Sequence, residues 1–210
     1  MIDAPSYSGP VIVCDVGGVL VDLTVNPLRP LWAEQLGLPE RVFRERVWAC
    51  ISASSYLPLS TAARACAESF GLSEGDALRM LADFHLSWQL DLQLLGKLIA
   101  LRGRAKLVIL SNAGPAARFA ICTLLGLDRF FDAIYISCEL GLEKPDPDIY
   151  RSVEKDLGAK PGGYILMDDK IKNVEGARAA GWQAIHYRDG ADPVDELMRL
   201  IESSRSHDIR

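Results

Sequence analysis

Three stretches of this chain are continuous apolar runs that stop abruptly on polar residues. Val11 to Cys14 runs into Asp15 and then Gly17-Gly18, Leu107 to Leu110 into Ser111-Asn112, and Tyr164 to Met167 into Asp168-Asp169. Short runs rich in Val, Ile and Leu, closed by turn residues, predict strands buried on both faces. Further strands are expected near 133–137 and 183–187, with helices near 115–125, 147–157 and 171–180 between them. That rhythm, with its short connections, predicts right-handed crossovers and a parallel sheet that includes the first strand.

Between the first two of these strands the period changes. Leu28, Leu31, Trp32 and Leu36 predict one helix, Val42, Phe43, Val47 and Ile51 a second, and Ala62, Cys66 and Phe70 a third. Ser73 with Asp76 has the form of a capping box that opens a fourth, through Leu78, Leu81, Phe84 and Trp88. The expected fold class is therefore α/β, with a small helical bundle inserted into it. Only the ends, Met1 to Gly9 and Ser203 to Arg210, read as loose.

Composition narrows the partners. With 210 residues the chain can bury a sizeable core. Lys and Arg number 23 against 28 Asp and Glu, a net charge of −5, so nucleic acid is not an expected partner. The five cysteines, Cys14, Cys50, Cys66, Cys122 and Cys138, are scattered and form no C-x-x-C, as expected of small buried side chains in a reducing cytoplasm. No apolar run reaches the ~18 residues of a membrane span, and Met1 to Pro5 holds no basic leader, so a cytoplasmic protein with no membrane partner is expected.

The strand ends carry the chemistry, because ligands of open parallel sheets bind beyond the carboxyl ends of the strands. Asp15-Val16-Gly17-Gly18-Val19, Ser111-Asn112, Glu143-Lys144-Pro145-Asp146-Pro147 and Asp168-Asp169 with Asn173 follow one another in that order. Taken as a set, over roughly Val11 to Tyr187, they resemble the haloacid dehalogenase superfamily of aspartate-nucleophile phosphatases and their relatives. The resemblance implies a Rossmann-like core, 1–22 with 103–210, and an α-helical cap domain, 23–102, above it. It also implies Mg²⁺ as cofactor and a small phosphorylated metabolite as substrate, with sugar phosphates among the candidates. Monomer and homodimer both remain open.

Each residue has two readings. Asp15 is the candidate nucleophile, since a carboxylate can attack phosphorus to give an aspartyl-phosphate; otherwise it is a turn carboxylate binding nearby N–H groups. Adjacent Asp168 and Asp169 would repel unless a cation compensates, and Mg²⁺ takes oxygen ligands; one of the pair can also cap the next helix. By resemblance Asp15, the backbone carbonyl of Gly17 and one of the pair, Asp169 ahead of Asp168, ligate the metal, and Asn173 orients the shell. Lys144 would balance the charge of phosphate and Asp15, or be a surface lysine. Ser111 and Asn112 can donate to phosphate oxygens, and Gly18 lets backbone approach closely; simple turn chemistry is the alternative.

Gly17 departs from the resemblance, whose phosphatases usually carry there a second aspartate as general acid and base. Its absence would cost about 10²–10⁴-fold in proton transfer unless another group substitutes. Some relatives with D-x-G-[GN]-V resemble sugar 1-phosphate phosphatases. His85 is one possible substitute, with helix packing as its alternative, and Trp32, Trp48, Tyr56 and Trp88 line either a substrate cavity or a helical core. Asp22 is expected at the entry to the cap. No G-x-S-x-G elbow accompanies His186 or His207, so a Ser-His-Asp hydrolase is not expected. The leading expectation is a Mg²⁺-dependent phosphatase. Its rivals are a binding or regulatory protein that has lost turnover and, disfavoured by the Asp168-Asp169 pair, a 2-haloacid dehalogenase.

Overall fold

The computed structural model describes residues 9–22, 28–53, 58–86, 88–114, 116–159, 162–188 and 192–206, excepting the side chains at 52–53, 85–86 and 205–206. Five strands, β1 (Val11–Cys14), β4 (Lys106–Ser111), β5 (Ala133–Ile136), β6 (Tyr164–Asp168) and β7 (Gln183–His186), form one sheet in the order β5-β4-β1-β6-β7. Every pairing is parallel. The alternation within each apolar run explains its composition. Ile12, Cys14, Leu107, Ile109, Ile165 and Met167 enter the apolar cluster on one face. Val11, Val13, Val108, Leu110, Tyr164 and Leu166 enter the cluster on the other. With both faces covered, a strand has no polar side and must read as a continuous run.

Helix α5 (Leu92–Ile99) and helix α9 (Val194–Ser206) supply Leu94, Leu95, Leu98, Leu197 and Ile201 to the first face. On the second, after the short α6 (Ser137–Leu140) that follows β5, lie α7 (Pro147–Leu157) and α8 (Ile171–Ala179), with Ile149, Tyr150, Val153, Val174 and Ala177. The Asp146 side chain accepts from Asp148 N at 2.9 Å, with Pro147 following it at the start of α7. Where a helix was expected at 115–125, Phe119–Leu124 forms a wider turn of i→i+5 hydrogen bonds, including Leu125 N to Ala120 O at 2.9 Å. Ser203, expected in a loose end, instead belongs to α9, which runs to Ser206.

Four helices between β1 and β4 hold an apolar cluster of their own: α1 (Leu28–Gln35), α2 (Glu40–Ala53), α3 (Leu59–Phe70) and α4 (Glu74–Leu86). Asp76 N donates to Ser73 Oγ at 3.1 Å and Ser73 Oγ donates back to the Asp76 carboxylate at 2.7 Å, so the expected capping pair opens α4. The buried stripe of α4 runs through Ala77, Met80 and Leu81, leaving Leu78 exposed. A two-residue ribbon, β2 (Val21–Asp22) against β3 (Gln89–Leu90), ties entry to exit, and Asp22 lies in it opposite Gln89. Among the described residues no helix is long and apolar enough to cross a membrane.

Candidate active site

β1 is the central strand, so Asp15 leaves the sheet between Ser111, at the end of β4, and Asp168, at the end of β6. Asp15 N donates to Met167 O at 2.9 Å, and the Asp15 carboxylate accepts from Val16 N at 2.8 Å. The chain then folds back, with Gly18 N to Val21 O at 2.8 Å and Val21 N to Val16 O at 2.9 Å. Gly18 has φ +81°, and a Cβ there would stand 2.6 Å from Asp169 Oδ2. Glycine is needed twice over, for the left-handed backbone and for the approach of that carboxylate.

Lys144 is buried beneath Asp15. Its Nζ donates to Asp168 Oδ2 and to Leu110 O, both at 2.6 Å, and lies 3.3 Å from Asp15 Oδ1. Three partners match the three donors of an ammonium. The Asn112 amide holds the Lys144 backbone at both ends, donating to Lys144 O at 2.7 Å and accepting from Lys144 N at 2.8 Å. In α8, Gly176 lies so close to the following residue that a Cβ would meet Pro145 Cβ at 2.6 Å and Pro145 O at 2.9 Å.

Asp168, with no exposed surface, accepts from Lys170 N at 2.9 Å and from Asn173 Nδ2 at 3.0 and 3.1 Å, besides Lys144. Tyr150 OH donates to Asn173 O at 2.9 Å and so holds that helix turn. Burial pulls the Lys144 ammonium down, but Asp15 and Asp168 outweigh it and the net shift is upward, so the cation stays charged. Burial pushes the Asp15 carboxyl up, Lys144 draws it back, Asp168 adds to the rise, and Lys170 again lowers it.

Asp15, Asp168 and Asp169 each offer a carboxylate oxygen within 4.8 Å of the others. Both Asp168 oxygens are occupied, whereas Asp169 Oδ1 is buried without a hydrogen-bond partner. The Asp169 carbonyl accepts from His186 Nε2 at 2.9 Å, which fixes the backbone that carries it. A cluster of three carboxylates, one of them with a buried oxygen that has no hydrogen-bond partner, fits a hard, oxygen-seeking cation such as Mg²⁺.

Above this floor opens a cavity of about 570 Å³, floored by Asp15, Gly17, Ser111, Asn112 and Lys170. Its far side comes from the four-helix bundle, with Trp48, Ile51 and Phe84 accompanied by Arg29, Glu40, Arg44 and Glu45, and from Trp88, which follows α4 and packs on the core. The bundle approaches the core where Ile51 packs on Gly114; a Cβ on that glycine would lie 2.8 Å from Ile51 Cγ2. Trp32 turns away into the bundle and donates to Asp83 Oδ2 at 2.9 Å. The His85 side chain, Tyr56 and His207 lie outside the described residues.

Asp15, Ser111, Asn112, Lys144, Asp168 and Asp169 are thus brought together with Gly17 and Gly18. Lys170, Arg29 and Arg44 at the cavity were not anticipated. Lys170 had a signal, since it follows the Asp168-Asp169 strand end directly; the two arginines, one in α1 and one in α2, had none.

A five-stranded parallel sheet flanked by helices, with acidic and basic side chains gathered at its carboxyl edge, defines a Rossmann-like α/β architecture with its site at the strand ends. Residues 10–181 match the haloacid dehalogenase-like hydrolase family, and the chain belongs to it. The chain is 27% identical over 121 residues to D-ribitol-5-phosphate phosphatase of Bacteroides thetaiotaomicron, covering 55% of this chain and 59% of that enzyme. With bifunctional epoxide hydrolase 2 of Rattus norvegicus it shares 38% identity over 74 residues, 35% of this chain and 13% of the other. These matches therefore span less than two thirds of the relatives' own length. Among solved structures, the HAD family enzyme bt-2542 of Bacteroides thetaiotaomicron superposes with a TM-score of 0.76 at 20% identity, over 91% of this chain and 99% of that one. At that identity the likeness is one of fold.

Proposed function

We propose that the protein is a Mg²⁺-dependent phosphatase of a small phosphorylated metabolite, acting through a phosphoaspartate on Asp15. The observation that carries this reading is a buried cation, Lys144, 3.3 Å from Asp15, beside a cluster in which Asp15, Asp168 and Asp169 each bring a carboxylate oxygen within 4.8 Å of the others and Asp169 Oδ1 has no hydrogen-bond partner. Asp15 and Asp169 would hold the metal, together with the Gly17 carbonyl, with Asp168 beside them held by Lys144 and Asn173; the ion would draw charge from the phosphoryl oxygens. Lys144 favours the ionised form of Asp15 against burial, which raises its pKa, and Ser111 donates to a phosphoryl oxygen. Asn112 acts by fixing Lys144, and Gly18 admits Asp169 and backbone N–H groups. Asp15 then forms a bond to phosphorus as the ester P–O bond breaks, and water later cleaves the aspartyl-phosphate to phosphate and free carboxylate. Helices α1–α4 act as the cap; of the expected cap range 23–102, α5 (Leu92–Ile99) packs on the sheet and goes with the core, 1–22 and 103–210.

Relatedness to a ribitol phosphate phosphatase makes polyol and sugar phosphates the first substrates to try. Gly17 favours one other reading, a phosphate-binding protein without turnover. A panel of metabolite phosphates assayed for inorganic phosphate, with Mg²⁺ and with a chelator, separates the two. Release that requires Mg²⁺ and disappears in Asp15→Asn is expected. Phosphate binding without release would favour the binding protein, and halide release from 2-haloacids would favour a dehalogenase.

A further inference from the structure

The wall of the cavity constrains the leaving group more than its floor does. Trp48, Phe84, Trp88 and Ile51 present ring and alkyl surface toward the space above Asp15. Trp48 is 51% exposed, a large ring left beside the cavity rather than packed away. The wall's carboxylates are matched by arginines: Arg29 faces Glu40 at 3.7 Å and lies 5.7 Å from the centre of the Phe84 ring, and Glu45 pairs with Arg41 at 2.9 Å. A polyol removed from water needs a partner for each hydroxyl, and unpaired ones are costly. Ring faces suit a planar apolar body instead.

A second observation concerns protons. No histidine is among the described residues that line the cavity, and its acids beyond Asp15 are Glu40 and Glu45, each facing an arginine. Gly17 has no positive φ, so its backbone does not require glycine. With no uncommitted acid among the described residues of the lining, the site is served best by a leaving group that departs unprotonated. A phenolic oxygen has a pKa of about 10, against about 16 for a water-like hydroxyl.

Resting on the phosphatase reading above, we propose that the substrates are aryl phosphates, monoesters of a phenolic hydroxyl whose ring lies against Trp48 and Trp88. An Asp15 oxygen bonds to phosphorus, the aryl O–P bond breaks, and its electron pair leaves with the aryloxide, which takes a proton from water. Water then attacks the phosphoaspartate to return the Asp15 carboxylate and inorganic phosphate.

The test compares kcat/KM for phenyl phosphate, octyl phosphate, a hexose phosphate and acetyl phosphate with Mg²⁺ present. Phenyl phosphate should exceed both alkyl esters by about 10²-fold or more, the scale of one acid's contribution. Octyl or hexose phosphate turned over as fast as phenyl phosphate overturns the inference and leaves the phosphatase reading standing. No phosphate from any of the four, acetyl phosphate included, overturns both. Trp48→Ala should lower the phenyl-to-acetyl ratio about tenfold and Trp48→Phe restore most of it, by stacking on a ring face; an unchanged ratio overturns the placement of the aryl ring. Gly17→Asp should raise octyl phosphate turnover more than phenyl phosphate turnover, and the reverse order overturns the leaving-group argument.

Discussion

The floor and the wall of the cavity are built on opposite terms. On the floor, Lys144 and Asp168 are fully buried and every donor or acceptor they carry is engaged, through Leu110, Asp15, Lys170 and Asn173. On the wall, Trp48 is half open to solvent, and the ion pair of Arg41 with Glu45 is exposed at 72% and 56%. A buried network that loses one member leaves an uncompensated charge, whereas an exposed pair is worth little. The floor can vary only at a large energetic cost, and the wall can vary freely. Chemistry and selection are thereby separated.

Substitutions can break that contrast. Lys144→Met leaves Asp15 and Asp168 buried together without a cation, and a loss of about 3–5 kcal/mol in urea unfolding is expected. A loss comparable to a surface substitution would mean that the floor is wetter than its burial implies. Gly176→Ala should cost about 1–3 kcal/mol, because the new methyl must displace Pro145 at both Cβ and carbonyl. Since Pro145 follows Lys144, turnover should fall further than stability explains, as a comparison of kcat in folded enzyme would show. At the small end, Trp48→Ala should leave unfolding within about 0.5 kcal/mol of the parent while changing substrate preference.

The same contrast governs what the sequence reveals. Asp15, Ser111 and Asp168 are legible because each closes a strand buried on both faces, and a continuous apolar run that stops on a polar residue stands out. Lys144 was legible only through its place in the order of motifs. Asn112 reads as a phosphate donor, yet its amide clamps the Lys144 backbone over a separation of 32 residues that no local pattern discloses. Helical spacing marks Trp32, Trp48 and Trp88 alike, but only packing sorts the first into the bundle and the other two to the cavity. α9 was missed in part because Leu197 and Ile201 are its only fully buried apolar residues among many charged ones. The π-type turn at Phe119–Leu124 carries the same spacing as an α-helix, so periodicity cannot distinguish them.

The central claim is that Asp15 receives the phosphoryl group. Acid quenching of the enzyme during turnover of phenyl phosphate or acetyl phosphate, followed by peptide mass spectrometry, tests it directly. A phosphoryl adduct on Asp15, absent from folded Asp15→Asn, is the predicted result. Steady phosphate release with the adduct on another residue, or with Asp15→Asn as active as the parent, would contradict it.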